Sequence, residues 1–321
     1  RSKRTTSVDG SKKPVLPNEA TPPANGPVNR TTDRPHKLSG ENPGNFVITD
    51  ELGLGDGTAS QKVAANLAAI RVVKALDKEQ RFATKDEQAV LAKYVGWGGL
   101  KSVFDIKKAE ATDFYGKAQR ELKELLSPAE YDAANRSIQD AHYTPQGVVD
   151  GMWFGARHFG FKGGRVLEPT VGVGNFIGRQ PADMAASTQW FAAELDKITG
   201  AIAKHLYPEA TVMAGTPFQE APFADGVFDL VIGNPPFGAF TISDKSKARK
   251  HLDGLKIHNY IIAKAAMHLR PGAIMQFVVT SRFLDTANPE ARDVLAKDFN
   301  FVGAIRLPND AFKQNAGTEV V

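Results

Sequence analysis

Phe228-Asp229-Leu230-Val231-Ile232-Gly233-Asn234-Pro235-Pro236-Phe237-Gly238 is the stretch on which the fold turns. A short apolar run closed by glycine and proline reads as a strand buried in a parallel sheet, and two prolines cannot continue the ladder. The strand therefore ends on a carboxamide, a backbone carbonyl and an aromatic ring. Together these can hold a planar amine, at the sheet edge where ligands of open α/β folds gather.

Working outward, strands are expected at residues 165–168, 189–193, 211–214, 228–232, 273–280 and 300–305, with helices between them. That alternation predicts a doubly wound, mainly parallel Rossmann-like α/β sheet. After the first strand comes Glu168-Pro169-Thr170-Val171-Gly172-Val173-Gly174-Asn175-Phe176, a glycine turn entering a helix whose N-terminus favours an anion. A dinucleotide fingerprint needs three glycines and usually no leading acid. Here Glu168 is placed to meet an ammonium group, so a ligand with both ammonium and carboxylate fits better than a pyrophosphate. S-adenosylmethionine has both. Glu194, ending the second strand, is the expected acceptor for ribose hydroxyls, and Asp196 the cap of the following helix.

The front of the chain has a different texture. Residues 1–44 are rich in Pro, Ser, Thr, Asn, Lys and Arg without an apolar period, and read as a disordered linker or tail. Residues 45–140 read as a helical subdomain, and 141–321 as the catalytic domain. Val63, Leu67, Ile70, Val73 and Leu76 form one helical stripe, Thr84 with Glu87 a capping box, and Ser127-Pro128-Ala129-Glu130 another helix start. Tyr94-Val95-Gly96-Trp97-Gly98-Gly99-Leu100 is a loop with two readings. It is a tight turn burying Trp97, or a lid over a cofactor or a contact to DNA.

Composition sets the limits. The chain has 321 residues and a formal charge of +4, but residues 1–45 hold eight of the 40 Lys and Arg and four of the 36 Asp and Glu, so the remainder is neutral. Any affinity for phosphate must come from local patches. With no cysteine, thiolate metal sites and a covalent cysteine route to methylating a ring carbon are excluded. No apolar run approaches the roughly 18 residues of a membrane span, and a cytosolic protein without a metal is expected. The first residue is Arg1, so a fragment of a longer polypeptide is expected.

His142-Tyr143-Thr144-Pro145 precedes a helix over about 146–159, for which Thr144 is on its own an ordinary N-cap. The order Tyr-Thr-Pro, Glu-Pro-x-x-Gly-x-Gly-x-Phe, Glu, Asn-Pro-Pro-Phe resembles the gamma-class N6-adenine DNA methyltransferases over about residues 138–321. The 94–100 loop, the Ala-His-Tyr-Thr segment, residues 304–309 and residues 316–319 are similar to the methylase portion of large plasmid and phage proteins that fuse this domain to a helicase. The resemblance implies that Tyr143 and Thr144 touch the methionine part of S-adenosylmethionine. It also implies that Glu168, Pro169, Gly172 and Gly174 hold the amino-acid end and Glu194 the ribose. Where the family often has Asp after the third strand, this chain reads Gly215-Thr216-Pro217-Phe218-Gln219, and Phe218 is expected to pack on the adenine ring. Asn234, Pro235, Pro236 and Phe237 are the implied catalytic residues, and Phe312 stacks on a flipped target base.

Such an amine is a poor nucleophile because its lone pair is delocalised; Asn234 and the Pro235 carbonyl would bind its two N–H groups during direct displacement. Lys245, Lys247, Arg249 and Lys250, in a basic loop after the motif, are candidate phosphate contacts or merely solvated. His205, His251, His258 and His268 have no metal-ligand spacing and are expected at the surface or in helix packing, and Trp153 in the core. Two further readings stand: methyl transfer to RNA or to a protein glutamine amide, and a non-catalytic DNA-binding module with a vestigial methylase fold.

Overall fold

The computed structural model describes residues 38–105, 107, 110–138, 144–238, 240–244, 247–287 and 289–312. Tyr143, Lys245, most of the expected linker and the motif after Phe312 lie outside the described residues.

The helices at the front begin where side chains can cap them. Thr58 opens α1 (Ala59–Glu79) with a reciprocal box to Gln61, and Thr84 opens α2 (Lys85–Leu91) the same way with Glu87. Asp113 caps α3 (Phe114–Leu125), and Ser127 with Glu130 caps α4 (Pro128–Arg136), Pro128 filling the first turn where no N–H is needed. The five-residue stripe of α1 is fully buried.

Helix α5 (Gln146–His158) departs from expectation at its start. The cap residue is Pro145, in extended conformation and without a side-chain cap bond, so Thr144 is not the N-cap. Proline fixes φ one residue later than a threonine cap would, and Thr144 turns inward, its carbonyl accepting from Asn175 Nδ2 at 3.2 Å.

Five strands follow: β1 (Gly164–Glu168), β2 (Thr188–Glu194), β3 (Thr211–Ala214), β4 (Phe228–Gly233) and β5 (Leu269–Phe277). All neighbouring pairs are parallel, in the order β3-β2-β1-β4-β5. Between and after them run α6 (Asn175–Gly178), α7 (Ala182–Ala185), α8 (Lys197–Leu206), α9 (Ile257–Met267), α10 (Ser281–Asp285) and α11 (Glu290–Ala296). Alternate strand residues serve opposite faces. Val166, Trp190, Leu230 and Ile232 pack with α5, α8 and the front helices, whereas Leu167, Ala193 and Val231 pack with α9. This is the expected doubly wound α/β fold, with its switch point between β1 and β4.

The strand expected at 300–305 is not formed. Phe301, Val302 and Ile305 are 73%, 69% and 89% exposed, and no ladder partner lies beside them among the described residues. Apolar content favours an extended chain, but only a hydrogen-bonding neighbour makes it a strand.

The front helices join the sheet through α8. Gln88 Nε2 donates to the carbonyls of His205 and Leu206 at the end of α8, at 3.1 and 3.2 Å. Those carbonyls have no partner inside their own helix. Ile48 N–H donates to the Gly178 carbonyl at 2.8 Å, a second strap. Within the front helices, fully buried Asn66 sets the 94–100 loop: Nδ2 donates to the Gly96 carbonyl at 2.6 Å and Oδ1 accepts from Val95 N–H at 2.9 Å. Trp97 then packs edge-on to Tyr94 and Phe104. Asn66→Ala strands both backbone groups, so urea unfolding should show a midpoint lowered by about 1–3 kcal/mol of stability with an unchanged slope.

Candidate functional site

The site grows from the carboxyl ends of β1, β2 and β4. Glu168 closes β1 and is 2% exposed. A β-carbon built on Gly233, at the end of β4, would stand 3.7 Å from both Glu168 Cγ and Pro169 Cδ, which puts the acid against the turn that starts at Asn234. Thr170 Oγ1 donates to the Asn234 carbonyl at 3.5 Å, tying the two loops across the switch point. Glu168 Oε2 has no hydrogen-bond partner. Burial, reinforced by the Glu194 charge, holds this carboxyl well above the ordinary carboxylate range.

Glu194 closes β2 and organises the glycine turn. Its two oxygens accept from Gly172 N–H at 2.9 Å and Asp196 N–H at 2.8 Å. A carboxylate has about four acceptor positions, so capacity remains for a diol. Burial pushes its pKa up to about 7, with the Asp196 charge adding and the Asp196 and Gly172 N–H bonds opposing. Gly174 sits at φ 81°, where a β-carbon would run into the Tyr207 ring. Asp196 caps α8 through Thr199 N–H at 2.7 Å, as its place in the sequence implies.

One expectation about this turn changes. The helix it enters, α6, is a single turn of four residues. Its macrodipole is correspondingly small, and Gly172 N–H is already spent on Glu194. Anion binding by a helix N-terminus is therefore not what the turn offers.

A cleft opens beside the turn. Tyr94, Val95 and Gly98 of the front loop face Thr144, Val173 and Asn175 across it. Trp97 is buried in the helical core, as the tight-turn reading expects, and its neighbours Tyr94, Val95 and Gly98 form one wall of the cleft. Gln146 Nε2 and Asn175 Oδ1 are buried without partners at the same place. Neither residue stood out in the sequence, where Gln146 looked like an ordinary helix start.

The structure brings Phe237 and Phe312 into one apolar cluster around Val278, with Val148, Met152 and Leu307. Phe218 is not brought to the cleft. Its ring is buried against Phe223 and His268, with Lys264 Nζ 5.0 Å from its centre. Trp153 is buried, its indole donating to the Phe176 carbonyl at 3.0 Å. His205 and His268 are buried packing residues, while His251 is exposed.

The described residues of the basic loop are anchored by hydrogen bonds. Thr241 bridges Lys256, Ile242 N–H donates to the Leu255 carbonyl at 3.0 Å, and Tyr260 Oη donates to Asp244 at 2.6 Å. Arg249 is engaged with Asp225 at 3.0 Å, whereas Lys250 is exposed. Lys247 lies in a short 3-10 turn, Lys247–Leu252.

Residues 182–312 match the family described as Eco57I restriction-modification methylase. That interval contains Glu194, the Asn234–Phe237 turn and Phe312. A stretch of 183 residues, 56% of this chain, is 28% identical to the Defense against restriction protein B of Escherichia phage P1 and spans 8% of that protein's length. Among solved structures, a type I restriction-modification methyltransferase subunit from Streptococcus thermophilus aligns over 72% of this chain and 59% of its own, with 16% identity and a TM-score of 0.43. A Listeria monocytogenes protein assigned to the class I S-adenosylmethionine-dependent methyltransferases aligns over 74% and 78%, with 15% identity and a TM-score of 0.40. The fold assignment rests on the strand order of this chain itself.

The buried acid yields a prediction with a definite sign. Glu168 and Glu194 have folded pKa values above the ordinary 4.5. Each therefore stabilises the free protein fully below about pH 4.5, and that contribution is lost as pH rises through the folded value. In thermal melts of the free protein, Glu168→Gln is expected to raise the midpoint above wild type at pH 8, with the difference vanishing near pH 4.

Proposed function

We propose that this chain is an S-adenosylmethionine-dependent methyltransferase acting on the exocyclic N6 amine of adenine in DNA. The observation that carries the reading is the meeting, at the β1/β4 switch point, of a buried unpartnered carboxyl with the Asn-Pro-Pro-Phe turn. The Eco57I match over residues 182–312 and the name of the phage relative support DNA as the acceptor.

The residues present fit the cofactor. Glu168 Oε2, buried and without a partner, suits an ammonium group, and Glu194 has acceptor positions to spare for a ribose. Gln146 and Asn175 add a donor and an acceptor to the cleft wall. When bound, S-adenosylmethionine supplies an electrophilic methyl group on its sulfonium. The protein's share is to hold the amine. Asn234 Oδ1 and the Pro235 carbonyl accept its two N–H groups and favour the pyramidal nitrogen, whose lone pair is then available. Orientation of this kind can supply about 7–11 kcal/mol of a barrier.

Extrusion of a base from a duplex costs a few kcal/mol. Phe237 and Phe312 offer aromatic contacts worth about 1–3 kcal/mol each by analogy with single-strand binding. Exposed Lys250 is a candidate phosphate contact, together with Lys245 and Lys247; Arg249 would first have to leave Asp225. The place of this chain in a longer polypeptide, with a helicase as one neighbour, belongs to the same proposal.

Two measurements test it. Wild type is expected to transfer labelled methyl from cofactor to duplex DNA as N6-methyladenine, and Asn234→Ala to lose about 100-fold or more in rate, the scale of losing one polar contact to a reacting group. Label appearing only in protein or RNA overturns the substrate. Separately, pairing with an ammonium ionises Glu168, so cofactor binding at pH 6.5 should release protons, seen by calorimetry in buffers of different ionisation heat. Glu168→Gln should lose that release and bind about tenfold or more weakly; proton uptake by wild type contradicts the assigned role.

A further inference from the structure

Among the described histidines, His258 packs on the Asn-Pro-Pro-Phe turn, against the ring of Phe237. It sits in the first turn of α9, 7% exposed, with its ring 5.2 Å from that of Phe237 and inclined by 32°. Phe283 meets the imidazole edge-on at 5.7 Å. Aromatic rings thus cover two sides of the imidazole, and a phenylalanine could make the same ring contacts.

The imidazole carries a cost that phenylalanine would not. Nε2 is buried and has no hydrogen-bond partner, whereas the ring hydrogen-bonds to backbone at Val278, which leaves Nδ1 as the nitrogen engaged there. An orphaned buried nitrogen destabilises a fold by about 1–3 kcal/mol. Burial also lowers the pKa, against the Asn259 and Val278 hydrogen bonds, so the ring is neutral at ordinary pH. In a neutral imidazole the bond made by one nitrogen sets the role of the other. With Nδ1–H directed to the Val278 carbonyl, Nε2 presents a lone pair.

We propose that His258 is a further binding residue of the acceptor site: its ring backs Phe237, and Nε2 accepts a hydrogen bond from an N–H donor on the nucleic-acid strand held there. This rests on the methyltransferase reading above. The N–H groups of the target amine are assigned to Asn234 and Pro235, so the donor for His258 belongs to a neighbouring base. Cytosine, guanine and adenine carry such donors on their exposed edges. His258 is accordingly a contact that favours some flanking bases over others.

The test compares wild type, His258→Phe and His258→Gln in the whole chain. Phenylalanine keeps the ring stack and removes both nitrogens, the Nε2 lone pair and the Nδ1–H bond to Val278, while glutamine can place an acceptor near Nε2. Cofactor affinity by calorimetry reports whether each variant is folded; KM and kcat are measured on duplexes that vary the bases flanking a fixed adenine. His258→Phe is expected to bind cofactor as wild type does, to raise KM for DNA about tenfold, equivalent to about 1.4 kcal/mol, and to flatten the flanking-base preference. His258→Gln is expected to recover most of that loss. Wild-type kinetics and preference in His258→Phe overturn this inference alone, as does equal loss in both variants accompanied by loss of cofactor affinity. A wild type that neither binds nor methylates DNA overturns the functional reading and this inference with it.

Discussion

A carboxyl group without a partner, buried where β1 and β4 part company, is the constraint around which the carboxyl edge of this sheet is arranged. Parallel strands leave that edge open because their crossovers depart to opposite faces at the switch point. Glu168 fills the gap from one side and the turn after β4 approaches from the other, so close that a β-carbon on Gly233 would stand 3.7 Å from Glu168 Cγ. Glu194 then fixes the intervening glycine turn through Gly172 N–H. The Glu194 charge adds to burial in holding the Glu168 carboxyl well above the ordinary range.

The far side of the sheet supplies the rigidity. Helix α9 braces three loops at once. His258 lies against Phe237, Tyr260 Oη holds Asp244 of the basic loop, and Lys264 Nζ donates to the Phe218 and Gln219 carbonyls at 2.8 and 2.7 Å. Burial of Lys264 lowers its pKa to about 8, with the Arg249 charge adding to the effect and Asp244 and Asp225 opposing it. Those bonds hold the segment after β3 from below and explain why Phe218 is a core residue rather than a wall of the cleft. One almost wholly buried helix therefore connects the candidate cofactor edge to the candidate acceptor edge.

What the sequence disclosed and what it concealed divide along a physical line. β1 through β4 were legible because their apolar runs end in residues that stop a strand, the capping box at Thr84 because both partners lie three residues apart, and the helix start at Ser127 because proline fills the first helical position. The places of Glu168 and Asn234, at the end of β1 and just after β4, were legible because the apolar runs stop there. Residues 300–305 misled because an extended preference says nothing about whether a neighbour exists to pair with. Gln146, Asn175 and His258 were hidden for another reason. Their significance is an unmet hydrogen bond, which depends on what every other element brings near them. A signal for His258 did exist in its place near the start of the apolar α9, where a buried imidazole calls for an explanation.

The same unmet bonds connect stability with function. Each orphaned polar atom at the edge makes the free protein less stable than a sequence with apolar residues there would be. Ligand groups that complete those bonds stabilise the folded state by mass action, through affinity for it alone. Gln146 and Asn175 line the cleft, whereas His258 lies against the ring of Phe237. A fold under no demand to bind a ligand at these places would gain stability by replacing the atoms with apolar groups.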